Sequence, residues 1–258
     1  MTALFDSHCH LDGPEFDADR DAVVARAQAA GVAWQLVPAI DADSWDGIAA
    51  LCARHSGLHP AWGLHPMLLD RHRPEHLAQL RTRVEADRPR AIGECGLDYF
   101  IEGLDPDTQR TYFRAQLEIA REFALPVVVH ARRALEEVTA TLRKVGGLTG
   151  VVHSFSGSPE QARQLFDLGF HLGLGGPVTY ERARRLHAVV RSMPLDRLLL
   201  ETDAPDQPGA GHQGERNEPC RLVQVAEAIA ALRGEPVEAI AAATTANACR
   251  LFGVRPNP

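Results

Sequence analysis

The chain has 258 residues, of which 45% are hydrophobic and 24% charged, and its formal net charge is −7. These values are typical of a globular protein with a large core, and the acidic balance argues against a broad electrostatic clamp on duplex nucleic acid. No secretory signal or run of ~20 apolar residues is present, so we expect a cytoplasmic protein without membrane contact. Five scattered cysteines without a CxxC pair argue against a disulfide framework and a structural zinc finger.

Short apolar runs alternate with helical patterns along the whole chain. The candidate strands, in order, are residues 4–10, 33–40, 59–64, 91–97, 126–130, 150–155, 171–175 and 197–202. Ser158 and Pro159 predict the cap and first residue of one intervening helix. Eight strands with interposed helices predict an α/β fold, a single-domain (β/α)₈ TIM barrel over residues 1–258. The alternative is a doubly wound sheet, but no GxGxxG loop follows a strand.

Six side chains that can bind metal stand where strands should end. They are His8, His10, Glu94, His130, His153 and Asp203. Because the carboxyl ends of barrel strands meet at one face, we expect these groups to converge. Alternate residues of a strand share a face, so His8 and His10 can hold one ion while Cys9 points away and packs. For any one histidine alone, the alternative is a hydrogen-bonded core residue.

The mixed nitrogen and oxygen ligands suit Zn²⁺, Mn²⁺, Co²⁺ or Ni²⁺, with Mg²⁺ possible at a weaker site. Two ions about 3.5–4 Å apart could lower the pKa of a bound water to about 7. We assign Asp203 to orient or deprotonate that water and Glu94 to bridge the ions. Lys144, the single lysine, ends a predicted helix and so cannot supply a carbamylated bridge. Asp6 shares the strand face of His8 and is expected to orient an imidazole.

Several motifs occur in a fixed order. They are DSHCHLD, GLHP, GECGLD, VVHAR, VVHSFSGS, LLLETDAP, RNEP and TTANACRLFGV. Together they resemble the TatD family of metal-dependent hydrolases, within the amidohydrolase-like superfamily, and GLHPMLLD and LLLETDAPD resemble its bacterial YjjV subgroup. The resemblance implies two divalent ions, one held by His8, His10 and Asp203 and the other by His130 and His153, with Glu94 between them. It also implies deoxyribonuclease activity, often 3′→5′ on single strands.

The sequence departs from the family's usual residues at a few positions. Cys95 replaces a usual isoleucine, Ser154 a common cysteine, and Asp206-Gln207 an aromatic residue and leucine found in many nuclease members. The loop 206–214 is expected to contact substrate. Three further residues are predicted substrate contacts: His65, which can also support a metal ligand, and the phosphate-binding candidates Arg132 and Arg216. Structural salt bridges are the alternative role for the two arginines.

The leading functional prediction is a two-metal phosphodiesterase, a 3′→5′ exodeoxyribonuclease that acts through a metal-activated water. Its partner is the end of a single-stranded nucleic acid or a small phosphodiester, and we expect a monomer. The alternative is a hydrolase of a small amide, ester or lactone. A PHP-type phosphatase also begins with HxH but needs a late Asp-x-His ligand, which ETDAPD lacks. A non-catalytic, metal-stabilised barrel is the remaining possibility.

Overall fold

The computed structural model describes residues 3–255 and contains one sheet of eight parallel strands. The strands are β1 Leu4–Asp6, β2 Val32–Pro38, β3 Leu58–Trp62, β4 Ala91–Asp98, β5 Val127–Arg132, β6 Gly150–Val152, β7 Phe170–Leu174 and β8 Leu198–Leu200. Each strand pairs with the next one along the chain. The Ser7 N–H donates to the Leu200 carbonyl at 2.9 Å, and the Asp203 N–H donates to the His8 carbonyl at 2.9 Å, so the first and last strands also meet. The TIM-barrel prediction is confirmed.

The helices follow the strands: one connects each strand to the next, and two come after β8. They are α1 Arg20–Ala29, α2 Trp45–Arg54, α3 Pro74–Asp87, α4 Pro106–Phe123, α5 Leu135–Val145, α6 Pro159–Asp167, α7 Arg184–Ser192, α8 Leu222–Arg233 and α9 Val237–Phe252. The Ser158 side chain accepts a hydrogen bond from the Gln161 N–H and Pro159 begins α6, as predicted. Among residues 3–255, we find no helix long and apolar enough to cross a bilayer.

The strands are buried on both faces, which explains their nearly continuous apolar sequences. Residues such as Val127, Val129 and Leu200 join the large core under the helices. The alternate residues form a smaller inner cluster, which includes Leu36, Ala61, Val128, Val151 and Leu199. Ala248, Cys249 and Phe252 of α9 pack against this inner cluster. An apolar plug therefore fills the barrel below the carboxyl ends of its strands, where the polar residues collect.

Six strands (β1, β2, β3, β6, β7 and β8) end earlier than the sequence predicted, and three of these ends lie at the polar cluster. β1 ends at Asp6, β6 at Val152 and β8 at Leu200, so His8, His10, His153 and Asp203 lie just beyond regular strands. The backbone leaves the extended conformation here, with φ of 47° at Ser154 and 55° at Asp203. Apolar runs cannot reveal this change, because the residues stay buried after the ladder ends. Because the backbone turns at these positions, side chains that follow several strands point towards one another.

Candidate metal centre

Glu94 on β4 lies at the centre of the polar cluster and is 1% exposed. Its neighbours Gly93 and Gly96 have φ of 140° and 152°. A Cβ at Gly93 would lie 2.5 Å from the Val128 carbonyl oxygen, and one at Gly96 would lie 2.0 Å from that of His130. Only glycine allows this backbone and this close approach of β4 to β5. The GECG sequence therefore holds the Glu94 carboxylate beside β5.

A first set of atoms that could bind a metal ion surrounds the Oε2 atom of Glu94; each such set is here called a donor group. The Nε2 atoms of His8 and His10 lie 3.1 and 3.3 Å from this oxygen, and 3.0 Å from each other. Asp203 Oδ1 lies 3.5 Å from His8 Nε2 and 3.8 Å from His10 Nε2. Four donor atoms from β4 and from the segments after β1 and β8 therefore meet at one point.

A second donor group surrounds the other oxygen of the same carboxylate. His153 Nε2 lies 2.7 Å and His130 Nδ1 3.0 Å from Glu94 Oε1, and these nitrogens are 3.3 Å apart. His65 Nε2 is 2.8 Å from the same oxygen. Because His65 Nδ1 accepts a hydrogen bond from the Met67 N–H at 3.1 Å, its Nε2 carries the hydrogen and donates to Glu94. His65 therefore supports Glu94 in this arrangement.

The separations of 3.0–3.8 Å around Oε2 bracket those of a metal site, whereas the carboxylate–imidazole separations of 2.7–3.0 Å around Oε1 are hydrogen-bond distances that would lengthen around an ion. A tetrahedral ion about 2.0–2.2 Å from each donor keeps the donor atoms roughly 3.3–3.6 Å apart. Three distinct sets of donor atoms, each within 4.8 Å of one another, occur in the cluster: His8, Glu94 and His153; His8, His10 and Asp203; His65, Glu94 and His130. The other five residues predicted as ligands are thus brought together around the Glu94 carboxylate.

The charges in the cluster favour a cation. Burial raises the pKa of Glu94, but His65, His153 and His8 outweigh it and hold that pKa well below its usual range. Burial lowers the pKa of His8 well below its usual range. An ionised carboxylate and a neutral imidazole are the forms that bind metal. Burial lowers the pKa of His153, but the negative charges of Glu94 and Asp203 outweigh it and raise that pKa to about 10. A bound cation would take the place of this proton between the carboxylates.

Asp98, at the end of β4, was not predicted from the sequence. It is fully buried, and its Oδ2 accepts a hydrogen bond from His130 Nε2 at 2.9 Å. Its Oδ1 accepts from the N–H groups of Phe100 at 2.9 Å and Ile101 at 3.2 Å. Because His130 donates through Nε2, the lone pair of its Nδ1 faces Glu94 and His153. The only sequence signal was the position of Asp98, four residues after Glu94 on an otherwise apolar strand.

Glu201 was also missed, although it lies two residues before Asp203. It is 1% exposed, its Oε1 accepts a hydrogen bond from the Ser154 N–H, and the same oxygen lies 3.9 Å from His153 Nδ1. Burial raises the pKa of Glu201 to about 8. A Cβ at Gly173 would lie 2.0 Å from Glu201 Oε2, so that glycine makes room for the carboxyl group. Glu201 borders the centre behind His153.

Gln207 connects two of the positions at which the sequence departs from the family pattern. Its Nε2 donates a hydrogen bond to Asp203 Oδ2 and another, at 2.7 Å, to Ser154 Oγ. Asp203 Oδ1 is the oxygen that faces His8 and His10. The loop after β8 therefore fixes the orientation of the Asp203 carboxylate through Gln207.

The predicted role of Asp6 is wrong. Its carboxylate accepts hydrogen bonds from the His8 N–H at 3.2 Å, the Thr202 N–H at 3.0 Å and Thr202 Oγ1 at 2.6 Å, and no imidazole within residues 3–255 donates to it. Burial raises its pKa to about 7. The spacing placed Asp6 on the correct face of the strand, but its carboxylate bonds to the backbone N–H of Thr202, after β8, and not to a histidine ring. Cys9 is fully buried in the core and its Sγ contacts the Ala204 carbonyl at 3.8 Å, as expected.

The two predicted phosphate contacts lie in different surroundings. Arg216 pairs with Asp19 at 2.7 Å and Glu218 at 2.8 Å, and its guanidinium lies 4.7 Å from the centre of the Phe16 ring. This is the structural salt bridge considered as its alternative. Arg132 ends β5 and is exposed. Lys144 lies in the last turn of α5.

A family model described as TatD related DNase matches residues 5–253. The chain belongs to the TatD family. It is 40% identical to the uncharacterized metal-dependent hydrolase YjjV of Escherichia coli K12, over 97% of this chain and 98% of that protein. The crystal structure of E. coli YjjV superposes with a TM-score of 0.94 at 38% identity, covering 98% of each chain.

A second relative carries a more specific name. The chain is 37% identical to a 3′-5′ ssDNA/RNA exonuclease TatD of Cronobacter sakazakii, over 96% of this chain and 97% of that protein. An uncharacterized amidohydrolase from Saccharomyces cerevisiae has a TM-score of 0.84 at 21% identity, covering 98% and 100% of the chains, which shows a shared fold. The protein is thus a metal-dependent hydrolase of the TatD family, as predicted.

Proposed function

We propose that the protein is a two-metal hydrolase that removes nucleotides from the 3′ end of single-stranded nucleic acid. The observation that supports this most directly is that Glu94 presents one carboxylate oxygen to each of two donor groups. Two ions that share one carboxylate suit the in-line displacement at a phosphodiester. The substrate class is suggested by the name of the Cronobacter relative, which is similar over nearly the whole chain.

The ligands divide between the two oxygens of Glu94. In our proposal His8, His10 and Asp203 hold one ion and His130 and His153 hold the other. Zinc, manganese, magnesium, cobalt and nickel are all compatible with these donors. When bound, such a pair of cations supplies a nucleophilic water of lowered pKa and neutralises charge on the phosphate. The residues around them hold the ligands in place.

Asp203 is our candidate for the group that orients the attacking water and accepts its proton. Its carboxylate is nearly buried, 8% exposed, and burial raises its pKa, which makes it a better base than an exposed aspartate. Gln207 occupies Oδ2, so Oδ1 is the oxygen that faces the reaction centre. Glu94 is less suited to proton transfer, because the surrounding imidazoles hold its pKa well below the usual range and make it a weak base.

Metal content and digestion of labelled strands test this proposal. We expect about two ions per chain by mass spectrometry, and shortening of a 5′-labelled single strand from its free 3′ end in Mn²⁺ or Mg²⁺. A strand with a blocked 3′ end should persist. His130→Ala and Asp203→Ala should lower the rate by about 10³-fold, since several kcal/mol of charge stabilisation is lost. Cys9→Ala, between two ligands but directed into the core, is the matched control; equal activity in all three variants would identify a contaminating nuclease.

A small amide, ester or lactone is the second candidate substrate. The net charge of −7 and the polar Gln207 next to Asp203 favour it, because neither helps to attract and stack a polyanionic strand. A panel of small amides, esters, lactones and phosphodiesters separates the candidates. A kcat/KM for any amide, ester or lactone above that for all phosphodiesters, lost in Asp203→Ala, would exclude the nuclease and keep the metal centre.

A further inference from the structure

Phe100, two residues after β4, stands out on the surface. It is 44% exposed and is the large hydrophobic side chain that lies open to solvent within residues 3–255. Two guanidinium groups lie on its ring: the Cζ atoms of Arg132 and Arg133 are 3.6 and 4.6 Å from the ring centre. Contacts between a cation and an aromatic ring at this distance are attractive and restrict the arginine side chains. The three side chains form a cluster, here called the arginine platform.

The two arginines of the platform have no acidic partner within residues 3–255. Both are exposed, and neither guanidinium forms an ion pair or hydrogen bond with any residue in the described range 3–255. In contrast, Arg110 also lies near an aromatic ring, that of Tyr99, but pairs with Glu137 and Asp107. A guanidinium stacked on a ring keeps its N–H edge free for an oxyanion. The platform therefore holds two positive charges in place with their donors unused.

The platform is joined to the metal centre through β4 and β5. Arg132 pairs in register with Asp98, and His130 pairs with Gly96. Arg132 thus follows His130 by two residues, about 6.6 Å along the strand and on the same side. Asp98 accepts hydrogen bonds from both His130 Nε2 and the Phe100 N–H. One buried carboxylate therefore fixes a candidate metal ligand and the base of the platform.

We propose that Phe100, Arg132 and Arg133 bind the phosphates of a single-stranded nucleic acid next to the bond that is cleaved. This inference rests on the proposed function and extends it to a subsite that includes two residues not expected from the sequence, Phe100 and Arg133. The net charge of −7 would repel a polyanion, so a local positive site is needed to hold one. Arginine without a carboxylate partner is well suited to phosphate oxygens.

Binding of a fluorescein-labelled oligothymidylate to the full chain in EDTA measures the subsite without cleavage. We expect Arg132→Ala and Arg133→Ala each to weaken binding about tenfold. Each should also reduce the slope of log Kd against log salt by about 0.7, the value for one phosphate contact on a single strand. Phe100→Leu should weaken binding because the ring no longer holds the guanidiniums, whereas Phe100→Tyr keeps the ring and should bind like the unchanged protein.

Arg114 provides the matched control, because it is an exposed arginine on α4 with no ion pair among residues 3–255. Arg114→Ala should leave affinity and salt slope unchanged. If Arg132→Ala and Arg133→Ala behave like Arg114→Ala, or if the unchanged protein does not bind the oligonucleotide, the platform is not a phosphate subsite.

Hydrolysis by the metal-loaded protein separates this inference from the proposed function. The platform variants should raise KM for single strands by a larger factor than KM for bis(4-nitrophenyl) phosphate, which has no neighbouring phosphates. Binding that depends on the platform without any cleavage of strands would keep the subsite and reject the exonuclease. Cleavage with KM unchanged in all three platform variants would keep the exonuclease and reject the subsite.

Discussion

The two ends of the barrel both carry histidines on apolar strands, but among residues 3–255 the histidines gather around a carboxylate at the carboxyl end alone. At the carboxyl end, the rings of His65, His130 and His153 all contact Glu94. At the amino end, His59 on β3 lies beside Phe5 at 6.2 Å, and His171 on β7 contacts the Gly150 carbonyl at 3.3 Å. A histidine in an apolar strand is therefore a weak signal by itself. The shared acidic partner distinguishes a candidate metal site from core packing.

The largest expected effect comes from removing the charge of that partner. Glu94→Gln keeps the shape but gives one of the two donor groups an amide nitrogen instead of an oxygen ligand. We expect loss of about one ion per chain and a fall in kcat/KM on the order of 10³-fold or more. Metal content by mass spectrometry and hydrolysis of a phosphodiester check this.

His171→Gln at the amino end is the matched control for Glu94→Gln. It changes a strand-borne polar side chain without touching the centre, so metal content and activity should stay unchanged. If both variants keep two ions and full activity, the contrast between the two ends has no functional meaning.

A smaller effect is expected from the two buried aspartates near the carboxyl end. Asp98→Asn removes the charge that holds the His130 ring, and should lower metal affinity about 10–100-fold. Asp6 forms no hydrogen bond with a candidate ligand ring, so Asp6→Asn should leave metal affinity unchanged. Weaker hydrogen bonding to Thr202 should lower the free energy of unfolding of this variant by about 1 kcal/mol. Competition with a chelator and denaturant unfolding measure the two quantities. Equal losses of metal affinity would contradict the separate roles seen in the structure.

The sequence predicted the barrel and the convergence of the six candidate ligands because both depend on local patterns. Apolar runs mark the strands, and polar residues at their ends, such as His130 after VVV, mark the active face. Asp98 and Glu201 were missed because an acidic residue near a strand end is equally typical of a solvated loop. The platform was missed because it depends on the register of β4 against β5, which shifts between Ile92 and Cys95. No sequence pattern reveals such a shift.

The smallest expected effect is a pH dependence of stability at the amino end. Burial and the charge of Arg90 lower the pKa of His59 from 6.5 to about 4. The unfolded chain therefore binds this proton more readily, so the contribution to stability is complete above pH 6.5 and lost as the pH falls towards 4. His59→Gln removes this loss. After allowance for solvent screening, the loss of unfolding free energy between pH 7 and pH 4.5 is about 1 kcal/mol. In EDTA, the melting temperature of the unchanged protein should therefore fall by about 2–4 °C more than that of the variant over this pH range. Identical falls measured by calorimetry would show that His59 takes up its proton as easily in the folded barrel as in the unfolded chain.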